Sequence, residues 1–161
     1  MTRQDLGAVL AVQQTCYPQA YHEPEAAFGA KLAGAPDCSW VAEDPQAGVQ
    51  AYLVCLPVDV DSFPALHAPH WQRPRQADWL YLHDLAVSRV LQGVGVGHLL
   101  VEQACSQARA LRVGGLALVA VQGSVPYWQR HGFAPTEPRH PALSAKLASF
   151  GDDACFMTQV L

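Results

Sequence analysis

The run Gln92-Gly93-Val94-Gly95-Val96-Gly97-His98 constrains this chain more than any other segment, because of what flanks it. Before it, Trp79 to Val87 (WLYLHDLAV) carries apolar residues on both faces, which predicts a central strand. After it, Leu91 to Leu111 turns into a predicted helix. Val96, Leu100, Ala104, Ala108 and Leu111 lie on one face of that helix, and Glu102, Ser106 and Arg109 on the other. Leu116 to Val121 (LALVAV), bounded by Gly114-Gly115 and Gly123, is a continuous apolar run of the kind buried on both sides. Strand, glycine loop, helix, strand is a βαβ unit, so two strands are parallel neighbours joined by a right-handed crossover.

The flanking segments read as follows. Thr2 to Cys16 is a predicted helix opened by a Thr2/Asp5 capping pattern, with Leu6, Val9, Leu10 and Gln13 at helical spacing and Pro18 as its stop. A second helix runs from Pro24 to Leu32, with Gly34 ending it. Ser39 to Glu43 and Val49 to Leu56 form a predicted hairpin across Asp44-Pro45-Gln46-Ala47-Gly48. Pro57 to Asp78 holds Pro57, Pro64, Pro69, Pro74, His67, His70, Trp71, Arg73 and Arg75, a content that suits a lid or substrate loop. His67 and His70 lack a helical frame, which argues against a metal site there. Ser124 to His131 is a short helix closed by Gly132, and Cys155 to Val160 a final strand.

A chain of 161 residues and 17.4 kDa suits one domain, residues 1–161. Its net charge of −4, with dispersed basic residues, argues against nucleic acid as a partner. No window reaches the roughly 20 apolar residues of a membrane span. The five cysteines form no C-x-x-C pair and sit mostly in apolar runs, which predicts reduced thiols and a cytoplasmic location.

Three alternating glycines before a helix clear side chains from the backbone N–H groups and put the positive end of a helix dipole beside them, a setting for a diphosphate. A dinucleotide fingerprint fails: His98 stands where Gly or Ala is needed, and the next strand ends in Val121-Gln122 without a carboxylate. A nucleotide-hydrolase phosphate loop fails too, because the segment has no lysine. What remains is Q-x-x-G-x-G, carried by Gln92, Gly95 and Gly97.

With that motif, and with Val125-Pro126-Tyr127-Trp128-Gln129-Arg130-His131-Gly132-Phe133 following at the right separation, Leu80 to Phe133 resembles the GNAT superfamily of N-acetyltransferases. Leu82-His83-Asp84-Leu85-Ala86-Val87 looks most like arylalkylamine N-acetyltransferases and their bacterial relatives. The resemblance implies an α/β (α+β) fold with a mixed, mostly antiparallel central sheet flanked by helices and splayed where it holds acetyl-CoA. It implies a pantetheine arm on the backbone of Leu85, Ala86 and Val87, and phosphates on Gln92, Gly93, Val94, Gly95, Val96, Gly97 and His98. Ser124 and Trp128 complete the implied cofactor contacts. The superfamily usually opens with a strand, whereas here a helix pattern starts within five residues of Met1. A homodimer is also compatible with the resemblance.

The implied reaction is acetyl transfer to a primary amine, with a small and even aromatic acceptor in view. A protein or peptide N-acetyltransferase and a non-catalytic acyl-CoA-binding module are the alternatives. His83 suits the base, since an imidazole accepts a proton near neutral pH and strand alternation sets it on the face of Leu85. The competing reading is a core histidine beside Asp84. Tyr81 matches a second position used for proton removal through water. The family's usual acid tyrosine is replaced by Trp128, whose indole gives up no proton, so Tyr127 or water would protonate the thiolate. Trp128 itself reads as core packing. His22, Glu23 and Glu25 read first as a solvated loop and second as an attractor for a cationic amine.

Overall fold

The computed structural model describes residues 1–59, 62–138 and 140–161. Val60 and Asp61 of the proline-rich loop lie outside the described residues.

Thr2 and Asp5 form the expected cap: the Thr2 N–H and hydroxyl donate to Asp5 Oδ2 at 2.6 and 3.0 Å. After one 3₁₀ turn at Arg3–Asp5, α1 (Leu6–Cys16) follows, then α2 (Glu25–Gly34). Pro24 is the cap of α2 rather than its first residue, a shift of one position. The expected hairpin is β1 (Ser39–Asp44) and β2 (Gly48–Val58), paired antiparallel. β3 (Trp79–Val87), α3 (Val96–Leu111) and β4 (Gly115–Ala120) make the βαβ unit, and β3 and β4 pair in parallel. The chain closes with α4 (Val125–Arg130), β5 (Ala134–Pro135), α5 (Pro141–Leu147) and β6 (Cys155–Val160). Sequence patterning missed β5 and α5, which are only two and seven residues long.

One six-stranded sheet runs in the order β1-β2-β3-β4-β6-β5, antiparallel except between β3 and β4. Among the described residues no strand precedes α1. On α3, Leu100, Val101, Ala104 and Ala108 are buried against the sheet, while Val96 and Leu111 are half-buried at the ends of the stripe. Helix α1 packs on β2 and β3 through Leu6, Val9 and Val12. Two features of β3 position everything that follows.

The first is a short register. β3 and β4 pair only through Leu80, Tyr81 and Leu82 against Leu116, Ala117 and Leu118, so the strands part beyond Leu82. The second is a β-bulge. Val54 faces Asp84 and Cys55 faces Leu82, which leaves His83 as the extra residue on β3. The bulge interrupts the strict alternation from which His83 and Leu85 were expected to share a face.

The loop after β2 is packed down. Phe63 is buried edge-on to Tyr81 and Phe156, with centroids 5.0 and 5.9 Å away. Trp71 is buried against α2, its ring 2.8 Å from where a Cβ on Gly34 would stand. The cysteines are all free thiols, with Cys38 and Cys55 buried. Among the described residues no helix is long and apolar enough to cross a membrane.

Candidate functional site

Where β3 and β4 part, a cleft of about 590 Å³ opens, within the usual range for a small-molecule site. Its lining runs from the glycine loop, along His83 to Val87, to Glu23, Tyr17, Tyr21, Leu66 and Phe150.

The glycine loop divides its labour. Gly93 and Gly95 have φ of +78° and +88°, and a Cβ on either would meet nothing, so glycine is needed there for backbone conformation. Gly97 is needed for space: a Cβ would lie 2.6 Å from the Tyr127 hydroxyl and 3.7 Å from Val87 Cγ2. The first bond inside α3 runs from Leu99 N–H to Gly95 O, which leaves the N–H groups of Val96, Gly97 and His98 without a helical acceptor. Gly95 caps the helix with no side-chain bond to them. Gln92 lines the cleft, and its side-chain Nε2 donates to Val87 O at 2.9 Å, tying the loop to the end of β3. Val94 points away: it is 67% exposed and absent from the lining. Gly93, Gly95, Val96, Gly97 and His98 all line the cleft.

On β3, the Ser88 N–H donates to Gln50 O, which sets the phase of the antiparallel ladder with β2. Asp84 and Ala86 therefore turn their backbone groups toward β2, and Leu85 and Val87 turn theirs into the gap. The two carbonyls on the gap side are occupied, Leu85 O by the Tyr17 hydroxyl at 2.6 Å and Val87 O by Gln92. The N–H groups of Leu85 and Val87 face the cleft. The expected trio of backbone partners thus loses Ala86, which lines the cleft without offering it a backbone bond.

His83 is neither a satisfied core histidine nor a partner of Asp84. Its side chain is 2% exposed, Nε2 lies 2.8 Å from Glu23 Oε2, and Nδ1 is buried with no partner. Asp84 instead accepts the Tyr52 hydroxyl on Oδ2 at 2.7 Å. Burial raises the Asp84 carboxyl above its usual range, more than the nearby His83, Tyr52 and Tyr17 lower it. Glu23, expected in solvent, is buried and meets Lys31 Nζ at 3.0 Å, itself 1% exposed. Burial pushes the Glu23 carboxyl up, but His83 and Lys31 outweigh it and hold it at about 2. Glu25 is exposed as expected, and His22 Nε2 lies 2.8 Å from Tyr17 O. Gln13, at the helical spacing of Leu6, Val9 and Leu10, is the one sequence signal of this buried polar group; Glu23 and Lys31 carry no burial signal, because residues of those types usually face water.

Tyr81 is not brought to the cleft. It is 1% exposed, sits among Phe63 and the His83 ring, and burial raises its phenol far above the ordinary value. Of the two aromatics on α4, Trp128 is buried edge-on to Phe133 at 5.6 Å and lends one edge to the lining. Tyr127 sends its hydroxyl to the start of α3, and its phenol is raised by burial, partly offset by Arg130. Ser124 lines the same end, and His98 Nδ1 lies 3.4 Å from His131 Nδ1.

Residues 6–133 match the sequence model of the acetyltransferase (GNAT) family. This chain belongs to that family. Comparison with curated proteins gives no match. Among solved structures, the GNAT fold here is similar to the loading GNATL domain of CurA from Lyngbya majuscula, with a TM-score of 0.77, 13% identity, and coverage of 99% of this chain and 94% of that one. It is similar to Rv2747 from Mycobacterium tuberculosis, solved with CoA, at a TM-score of 0.69, 18% identity, and 99% and 96% coverage. Naa20 from Chaetomium thermophilum, solved with a bisubstrate analogue, matches at 0.68, 17% identity, and 100% and 84% coverage.

Proposed function

We propose that this chain, as one GNAT domain over residues 1–161, transfers an acetyl group from acetyl-CoA to the primary amine of a small aromatic acceptor. The observation that carries the reading is the continuity of one cleft, which joins the helix amides, the open edge of β3 and the buried His83–Glu23 pair. When bound, acetyl-CoA supplies a thioester-activated acetyl group. The N–H groups of Val96, Gly97 and His98 hold its diphosphate, helped by the dipole of α3. Leu85 and Val87 bind the pantetheine arm as an added strand, with the Val87 amide set to stabilise negative charge on the acetyl oxygen. His83 removes a proton from the acceptor's ammonium. Tyr127, whose hydroxyl stands beside Gly97 where Val87 also approaches, protonates the departing sulfur.

The aromatic lining of the acceptor end supports a small aromatic amine. Tyr17, Tyr21 and Phe150 line it, with the Tyr17 and Tyr21 rings 6.4 Å apart. The proline-rich loop walls the same end: Leu66 N–H donates to Ser149 Oγ at 3.1 Å and His67 Nε2 lies 2.8 Å from Ala20 O. That wall favours a compact acceptor over an extended peptide.

The test is a thermal-shift titration with acetyl-CoA, followed by a panel of aromatic amines, aliphatic amines and N-terminal peptides read by thiol release. A shift with acetyl-CoA and turnover with aromatic amines supports the proposal. Turnover with peptides alone replaces the acceptor, and binding without any turnover makes the chain an acyl-CoA-binding module.

A further inference from the structure

We infer that Glu23 is a positioning residue that fixes His83 as the Nε2–H tautomer and leaves a bare Nδ1 lone pair to take the acceptor's proton. Assigning that proton to an amine rests on the acetyl-transfer reading; the tautomer does not.

Glu23 Oε2 lies 2.8 Å from His83 Nε2 and 3.0 Å from Lys31 Nζ, and Oε1 lies 3.1 Å from Nζ. A carboxylate only accepts, so Nε2 must carry the hydrogen. The ring's other nitrogen, Nδ1, is then an acceptor, and it is buried without a partner. In the resting protein a second proton there would put an unpaired N–H of a cation in the same dry spot, which costs more than an unfilled lone pair; only an acceptor nitrogen that reaches Nδ1 and pairs with that N–H offsets the cost.

Glu23 is itself held from three sides. The Gln13 side chain clamps its backbone, with Gln13 Oε1 accepting the Glu23 N–H at 2.8 Å and Nε2 donating to Glu23 O at 3.1 Å. Lys31 comes from α2 and is buried on the carboxylate. Gln13, Glu23, Lys31 and His83 thus lock four segments of chain around one ring orientation, as an outer carboxylate fixes a functional imidazole elsewhere. The other titratable neighbours are engaged: Asp84 with Tyr52, and Tyr81 with its ring 5.7 Å from the imidazole. In the proposed step the proton leaves the ammonium nitrogen for Nδ1 and the electron pair stays on nitrogen. Glu23 stabilises the imidazolium until the proton returns to solvent.

Histidine-labelled protein read by ¹⁵N NMR at pH 7 tests this without any substrate. We expect His83 as the neutral Nε2–H tautomer. A neutral Nδ1–H tautomer or a doubly protonated ring overturns the inference. The paired variant Glu23→Leu/Lys31→Met, which leaves no buried charge unpaired, should show mixed tautomers. Its kcat should fall about ten- to hundredfold, with KM for acetyl-CoA within twofold. Retention of both tautomer and rate in that variant also overturns it. If it does not fold, the wild-type tautomer alone decides. An Nε2–H tautomer in a protein that acetylates no amine keeps the positioning role and removes the acetyl-transfer reading.

Discussion

The Tyr127 hydroxyl occupies the space beside Gly97: an added Cβ at that glycine would stand 2.6 Å from it. The contact joins the first turn of α3 to α4 at the point where Val87 also arrives, so the phenol and the strand edge share one register.

Replacing Gly97 with Ala therefore forces the Tyr127 hydroxyl to move while adding a better helix former. Stability should change by no more than about 1 kcal/mol, because the helix gain offsets the overpacking. Acetyl-CoA affinity should fall at least tenfold. Removing the hydroxyl in Gly97→Ala/Tyr127→Phe should restore most of it, as calorimetry of the three proteins would establish.

Gly95 behaves differently. Its φ of +88° leaves open space for a Cβ, so blocking is not what a substitution does there. Gly95→Ala should cost about 1–2 kcal/mol of stability through the left-handed backbone alone. Thermal unfolding and acetyl-CoA affinity should fall together, and a normal Tm in Gly95→Ala would contradict the argument.

Glu23 sets an acid limit. Its carboxyl is held at about 2 in the folded protein against 4.5 as the reference for the unfolded chain. The depressed value means its contribution is complete above about 4.5 and is lost as pH falls through about 2. The loss is on the order of 3 kcal/mol. Asp84, raised by burial, works in the opposite sense but is present in both proteins compared. Wild type should lose more stability between pH 4.5 and 2 than Glu23→Leu/Lys31→Met does, measured by denaturant unfolding.

His83→Ala should lower kcat by about a hundredfold or more and leave acetyl-CoA binding within twofold, since the proposed acetyl-CoA contacts are main-chain groups of Leu85, Val87 and α3 and not the His83 side chain. Steady-state kinetics with a reactive amine and calorimetry with acetyl-CoA give the two readouts. Equal loss of both would mean that the ring supports the fold instead of the proton transfer.

Periodicity carried the fold a long way. β3, α3, β4, α1 and the β1–β2 hairpin are long enough for their apolar spacing to identify them, and the glycines between Gln92 and His98 located the loop by elimination. β5 and α5 were too short to produce a period. The site was less legible. Gly93, Gly95 and Gly97 line the cleft at the loop the motif marked, but the burial of Glu23 and Lys31 was hidden, because with Gln13 it depends on contacts across three segments. The bulge at His83 and the ladder phase that turns Ala86 away were equally hidden, since both come from pairing with β2 and not from the β3 sequence.

Main-chain amides at the start of α3 are proposed to hold the diphosphate of an acyl carrier. A crystal structure with acetyl-CoA tests it most directly. The account predicts diphosphate oxygens within hydrogen-bonding distance of the Val96, Gly97 and His98 N–H groups, with the acetyl end beside Val87. A diphosphate bound away from these amides would contradict it.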